Sequence, residues 1–247
     1  MKAWLALLLL ATALPAGAQQ RSGFEQLSPA LQTMQRDDAQ NPAMLWVQDG
    51  AQLWARGPDK ACASCHGDAR QSMVGVAARY PAFDSRTAGP LNLAQRVNQC
   101  RSVHQGRPPW PAESAELLGL TAFIGLQSRG LPLAPPTDAR LEPARARGQV
   151  LFNARIGQLH LSCAICHQAN VGQRLAGSLI PPGHVNGYPL YRLEWQGLGS
   201  LQRRLRNCMS GVRAEPFAWD AQELLDLELY LARRGAGLAM ETPAVRP

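Results

Sequence analysis

Cys62-Ala63-Ser64-Cys65-His66 and Cys163-Ala164-Ile165-Cys166-His167 are two copies of one pentapeptide, CxxCH. Each pair of thiols has the spacing to add to the two vinyl groups of a haem, and the adjoining histidine then meets the iron from the proximal side. CxxC alone also occurs in redox dithiols and as half a zinc site. Two copies, each followed directly by His, point to two covalently bound haem c groups. Cys62, Cys65, Cys163 and Cys166 are the attachment residues, and His66 and His167 the proximal iron ligands.

The repetition extends well beyond the pentapeptide. Gly50-x-x-Leu53-Trp54 precedes the first motif and Gly148-x-x-Leu151-Phe152 the second. Tyr80-Pro81 matches Tyr188-Pro189, and Leu93-x-x-Arg96-x-x-x-Cys100 matches Leu201-x-x-Arg204-x-x-x-Cys208, all at an offset of 108. Glu116-Leu117-Leu118 matches Glu223-Leu224-Leu225 at an offset of 107. The last pair continues with apolar residues at helical spacing, so each copy closes on an amphipathic helix. The Gly-x-x-Leu-aromatic segments read as opening helices, and Leu93 to Cys100 and Leu201 to Cys208 as a third helix in each copy. Strand patterns are nearly absent. The expected fold is all-α, with two tandem cytochrome c-like haem domains related by internal repeat.

The expected organisation is a signal peptide at 1–18, an N-terminal extension at 19–45 wrapping over the first copy, and a first haem domain at 46–130. A Pro-rich linker at 131–140 then leads to the second haem domain at 141–240. Met1-Lys2, the short apolar run to Leu14 and Ala16-Gly17-Ala18 have the form of a secretory leader cleaved near Ala18. The apolar run is too short to span a membrane, and no later stretch is long enough. Export to the periplasm is the expectation, where haem attachment to CxxCH takes place. The chain carries a formal charge of +7, almost wholly from arginine, since Lys2 and Lys60 are its only lysines. That balance favours an acidic partner or an anionic substrate. No basic run with stacking aromatics argues for nucleic acid.

Six cysteines less the four attachment thiols leave Cys100 and Cys208, which occupy the same position in each repeat. A c-type haem commonly takes a sixth ligand from the chain. Met73 and Met209 do not sit at matching positions, nor do His104, His160 and His184. The repeat therefore pairs His66 with Cys100 and His167 with Cys208 as axial ligands. A Cys100–Cys208 disulfide and a pair of inert buried thiols are the alternatives. Arg96 and Arg204 lie one helical turn before each cysteine. Arg96 reads best as a solvated or propionate-binding residue. Arg204 stands in a denser group with Arg203, Arg206 and Arg213, and a guanidinium there can grip an oxyanion.

Tyr188-Pro-Leu-Tyr-Arg-Leu193-x-Trp195, Gly199-Ser-Leu201-x-x-Arg204, Asn207-Cys208-Met209, Val212-Arg-Ala-Glu-Pro-Phe217 and Leu227-Glu-Leu-Tyr-Leu231 resemble the SoxA family. SoxA proteins are the dihaem cytochrome c subunits of the SoxAX complexes of bacterial sulfur oxidation. The resemblance spans about Gly50 to Gly237 and is most specific from Cys208 to Pro216. It implies an L-cysteine S-thiosulfotransferase that joins thiosulfate oxidatively to a cysteine of the SoxYZ carrier protein, with electrons passing through haem to a small cytochrome c downstream. It implies a heterodimer with a SoxX-type monohaem cytochrome, a catalytic cysteine at Cys208, found in the family as a persulfide, a substrate-binding arginine at Arg204 and a haem ligand at Cys100. Trp219-Asp220-Ala221 departs from the family pattern; at a helix start, Asp220 is expected to serve as the cap. A dihaem thiosulfate dehydrogenase forming tetrathionate and a plain periplasmic dihaem electron carrier are the rival readings.

Overall fold

A computed structural model describes residues 20–56, 60–175 and 177–247. The expected leader lies outside the described residues. The helices are α1 (Pro29–Arg36), α2 (Met44–Ala55), α3 (Cys62–His66), α4 (Ala69–Ser72), α5 (Leu93–Val103), α6 (Ala115–Leu126), α7 (Glu142–Asn153), α8 (Leu201–Gly211) and α9 (Gln222–Arg234). Short strands join them: β1 (Ala82–Asp84), β2 (Gly89–Leu91), β3 (Arg174–Leu175), β4 (Ser178–Leu179), β5 (Leu190–Arg192), β6 (Gly197–Gly199) and β7 (Ala244–Arg246). The fold is all-α in class, with ribbons of two or three residues as its only sheet among the described residues.

The repeat is visible element by element. α2, α3, the β1–β2 ribbon, α5 and α6 of the first half recur as α7, the Cys163 turn, the β5–β6 ribbon, α8 and α9. Tyr80-Pro81 and Tyr188-Pro189 are both cis and enter equivalent ribbons. Local chemistry sets the helix starts. Asn92 and Gln95 form a capping box on α5, Ser114 caps α6 and Ser200 caps α8. α9 differs from expectation. Its cap residue is Ala221, with no side-chain bond, while Asp220 has φ +58° and donates its backbone N–H to Gln202 Oε1 at 2.9 Å. The left-handed turn at Asp220 aims the chain at α8, so its carboxylate does not cap α9.

In each half the opening and closing helices cross at glycine. A Cβ on Gly50 would lie 2.1 Å from the Gly119 carbonyl oxygen, and one on Gly148 would lie 2.0 Å from that of Asp226. Where the first half has Gly119, the second has Asp226, buried and held by Arg147 at 2.6 and 3.0 Å. Trp54, Val97, Leu117, Leu120 and Ile124 fill the first core; Phe152, Leu227 and Leu231 fill the second.

A third cluster lies between the halves and joins Ala43, Val47, Leu118 and Ala122 to Tyr191, Leu198 and Val245. Leu31 and Met34 of the N-terminal extension pack against it. The extension thus rests on both halves rather than on the first alone. Gln35 holds the Val245 amide at 3.0 Å, and Asn41 donates to the Pro243 carbonyl at 3.0 Å, so extension and C-terminal tail close on each other. The Pro-rich stretch is also engaged: Leu133 and Met240 donate backbone bonds to Leu238 and Leu131, each at 2.8 Å. Among the described residues no helix is long and apolar enough to cross a membrane.

Candidate functional site

All six cysteines are free thiols in the structure, so Cys100 and Cys208 are not joined to each other. Each instead faces the CxxCH of its own half. The charge of Cys65 acts on Cys100, and that of Cys208 on Cys163. Burial first, then the neighbouring Cys208, pushes Cys163 up to about 11. Burial, then Cys65, raises Cys100 against the pull of Arg96. Among the described residues no three His, Cys, Asp or Glu side chains converge as a metal-ion site.

The geometry around His167 fits a proximal haem ligand. Its Nδ1 lies 2.8 Å from the Pro181 carbonyl oxygen, which fixes the ring and leaves Nε2 free. Gly183, at φ +72°, lets the loop pass over the ring: a Cβ there would sit 2.9 Å from His167 Cγ. That loop lies in a stretch seven residues longer between His167 and Tyr188 than between His66 and Tyr80. Two buried nitrogens near His167, His184 Nδ1 and Arg234 Nε, lack hydrogen-bond partners. A carboxylate such as a haem propionate would satisfy them. In the first half, His66 is exposed and its ring stands 5.8 Å from that of Trp54, which donates Nε1–H to the Gly67 carbonyl at 3.0 Å. The thiols, the histidine and the opposed cysteine of each half are residue types that could hold a covalent haem.

The two halves differ on the cysteine side. Arg96, one turn before Cys100, is neutralised by Asp84 at 3.1 Å and bonded to Gln99. The position equivalent to Asp84 in the second half is Arg192. An ion pair in one copy has become two cations in the other, and Arg192 is pushed down by burial and then by the charge of Arg204. The Arg204 guanidinium has no hydrogen bond or ion pair among the described residues, although its charge reaches His167 and Tyr188. The wider arginine group divides. Arg203 lies over Trp195 at 4.3 Å, Arg206 over Trp219 at 4.5 Å, and Arg192 pairs with Glu194 at 2.9 Å. A half-buried guanidinium left unpaired among the described residues, one helical turn before a cysteine, could bind an anion.

Two residues of this pocket escaped the sequence reading. Arg192 was legible in the repeat alignment, as the charge reversal of Asp84. Tyr188 was visible only as half of a Tyr-Pro pair. Its phenol lies within reach of the charges of Arg204 and Cys208, and burial pushes it up to about 12, so it stays a neutral hydroxyl.

A family model described as the SoxA/TsdA cytochrome c domain matches residues 49–133 and 147–240. The chain is 37% identical to the L-cysteine S-thiosulfotransferase subunit SoxA of Pseudaminobacter salicylatoxidans, over 85% of this chain and 75% of that protein. It is 34% identical to the same subunit from Rhodovulum sulfidophilum, over 92% and 80%. The crystal structure of SoxXA from P. pantotrophus superimposes with a TM-score of 0.87 at 34% identity, covering 92% of this chain and 86% of that one.

Proposed function

The chain belongs to the SoxA family of c-type cytochromes, and from that premise we propose that Cys208 and Arg204 carry its L-cysteine S-thiosulfotransferase reaction, the oxidative joining of thiosulfate to a cysteine of a SoxYZ-type carrier protein. The observation that carries the assignment is the unpaired Arg204 beside Cys208, set against the neutralised Arg96 beside Cys100. Thiosulfate is a dianion. Arg204 binds it by charge-assisted hydrogen bonds in a partly desolvated pocket, beside Arg192, which is itself paired with Glu194. The Cys208 sulfur accepts the sulfur-linked group and releases it to the carrier thiol by exchange. Tyr188, neutral at working pH, holds a hydroxyl beside the reacting sulfur without adding negative charge.

Cys163 and Cys166 would hold one haem c by thioether bonds, with His167 and Cys208 as axial ligands. Cys62, Cys65, His66 and Cys100 would hold the other. Bound there, haem supplies a one-electron acceptor at the reacting sulfur, with thiolate ligation favouring the ferric state. A SoxX-type monohaem cytochrome is the proposed partner and a small cytochrome c the onward acceptor. Export to the periplasm places the chain where haem is attached.

Two measurements test this. A reduced pyridine-haem assay on the denatured mature protein is expected to return two covalent haems per chain; one or none removes a site. Steady-state thiosulfate oxidation with the carrier protein as acceptor reads Arg204→Ala. The KM for thiosulfate is expected to rise at least tenfold, about 1.4 kcal/mol of lost ground-state binding, with a smaller fall in kcat. Unchanged kinetics would reduce Arg204 to a surface charge.

A further inference from the structure

Between the two halves lies a cavity of about 150 Å³. Equivalent residues line it from both sides: Tyr80 with Tyr188, Asn92 with Ser200, and Glu113 with Asp220. Glu113 and Asp220 share a left-handed backbone, φ +62° and +58°. The caps of the two cysteine-bearing helices each meet a carboxylate from the opposite half. Asn92 Nδ2 donates to Glu228 Oε1 at 3.2 Å, and the Ser200 amide to Glu113 Oε2 at 3.4 Å.

Glu228 breaks the symmetry. Its counterpart is Thr121, whose hydroxyl bonds back to its own helix at 2.7 and 3.0 Å. Glu228 is 7% exposed, and burial raises it to about 7 against the help of Gln202 and Asn92, with the charge of Asp220 pushing the same way. Gln202 is 4% exposed, lines the cavity beside Glu228, and its Nε2 has no hydrogen-bond partner of full geometry. No Lys, Arg or His lines the cavity. Cations on the neighbouring helices have their own partners: Arg147 pairs with Asp226, and Arg203 lies on Trp195 while acting on Glu113. β2, packed against α9, contributes no titratable side chain. Asp220 is exposed at the mouth of the cavity. The space has room for water between mouth and interior.

We infer that Glu228 is a proton-uptake site linked to electron arrival in this chain, reached from solvent past Asp220. The inference rests on the function proposed above. In that reaction the S–H bond of the carrier cysteine breaks and an S–S bond forms to the outer sulfur of thiosulfate. R–SH and S2O3²⁻ give R–S–S–SO3⁻, one proton and two electrons. Sulfur is oxidised, and ferric haem iron of the c-type centres is reduced, one electron each. Added negative charge favours binding of a proton at a carboxylate that lies close to both centres and is poorly screened. Glu228 touches the first turns of α5 and α8, about 10 Å along each helix from Cys100 and Cys208 at 1.5 Å per residue. It is therefore placed alike towards both halves.

The test uses the haem-loaded chain with its monohaem partner. Midpoint potentials are followed by haem absorbance from about pH 5.5 to 8.5. The wild-type potential is expected to fall as pH rises through neutrality, towards the limit of a tenfold change in the redox equilibrium per pH unit, about 59 mV for one electron. Glu228→Gln should at least halve that slope, and Glu228→Asp should keep it with a displaced window. A wild-type slope in folded Glu228→Gln overturns the inference. A second measurement needs no variant: the reduced-minus-oxidised infrared spectrum of the wild type should gain a protonated carboxyl band, and its absence also overturns the inference. Normal thiosulfate transfer with neither signature removes the proton site alone, whereas loss of transfer in the wild type removes the function beneath it.

Discussion

Cys208→Ala is expected to abolish thiosulfate coupling, lowering turnover at least ~10³-fold, because it deletes the sulfur that accepts and passes on the transferred group. The alanine is smaller and leaves no strain; Cys208 is half-buried on α8, one turn from the helix end, so the fold is expected to survive. Steady-state thiosulfate oxidation with the carrier protein, and the intact mass of the carrier after incubation, read the effect. Cys100→Ala is the comparison. It is expected to alter the spectrum of the first haem, but the arginine of that half is tied to Asp84 at 3.1 Å, so carrier-linked product should still form. Coupling that persists in Cys208→Ala would overturn the assignment of Cys208 as the catalytic sulfur.

Gly148→Ala should be strongly destabilising to the second half. The new Cβ would lie 2.0 Å from the Asp226 carbonyl oxygen, 2.6 Å from its carbon and 2.8 Å from Tyr230 Cβ. The obstacle is backbone, which no rotamer change removes, so α7 and α9 must separate. Separation opens the Phe152–Leu227–Leu231 core and loosens the buried Asp226–Arg147 pair. A loss of at least ~3 kcal/mol is expected, against the ~5–15 kcal/mol of an ordinary domain. In a chain of this size it lowers the thermal midpoint by roughly 6–12 °C, or keeps the protein from accumulating. Gly211→Ala is the control: nothing lies within 4 Å of its Cβ position, and its midpoint should stay near wild type. Equal melting of Gly148→Ala and wild type would mean that the helix crossing is looser than it stands here.

The crossing at Gly148 shows how sequence and structure divide the explanation. Gly50 and Gly148 were legible as repeated letters ahead of CxxCH, and the repeat alone predicted which helices would recur. Why glycine stands there was not legible, because the partner backbone at Gly119 and Asp226 lies far away in sequence. The opposed cysteines divide in the same way. Repetition singled out Cys100 and Cys208 and left a disulfide open; the fold closed that option by placing each thiol before its own CxxCH.

The arginines were read least well. Arg203, Arg204, Arg206 and Arg213 form one group in the sequence, but a helix sends neighbours to different faces. Arg203 and Arg206 lie on Trp195 and Trp219, and Arg204 is left unpaired beside Cys208. Arg192, from the β5 strand, is the second cation of the pocket. The capping role expected of Asp220 failed because its left-handed backbone turns the chain towards α8. The sequence by itself determined the haem chemistry, the duplication and the all-α class, since these rest on covalent spacing and helical periodicity. Tertiary structure decided which arginine stays free, which tyrosine joins the site, and that three carboxylates meet between the halves. Those outcomes depend on side chains brought together from distant segments, where burial and neighbouring charge, rather than local pattern, set what each group can do.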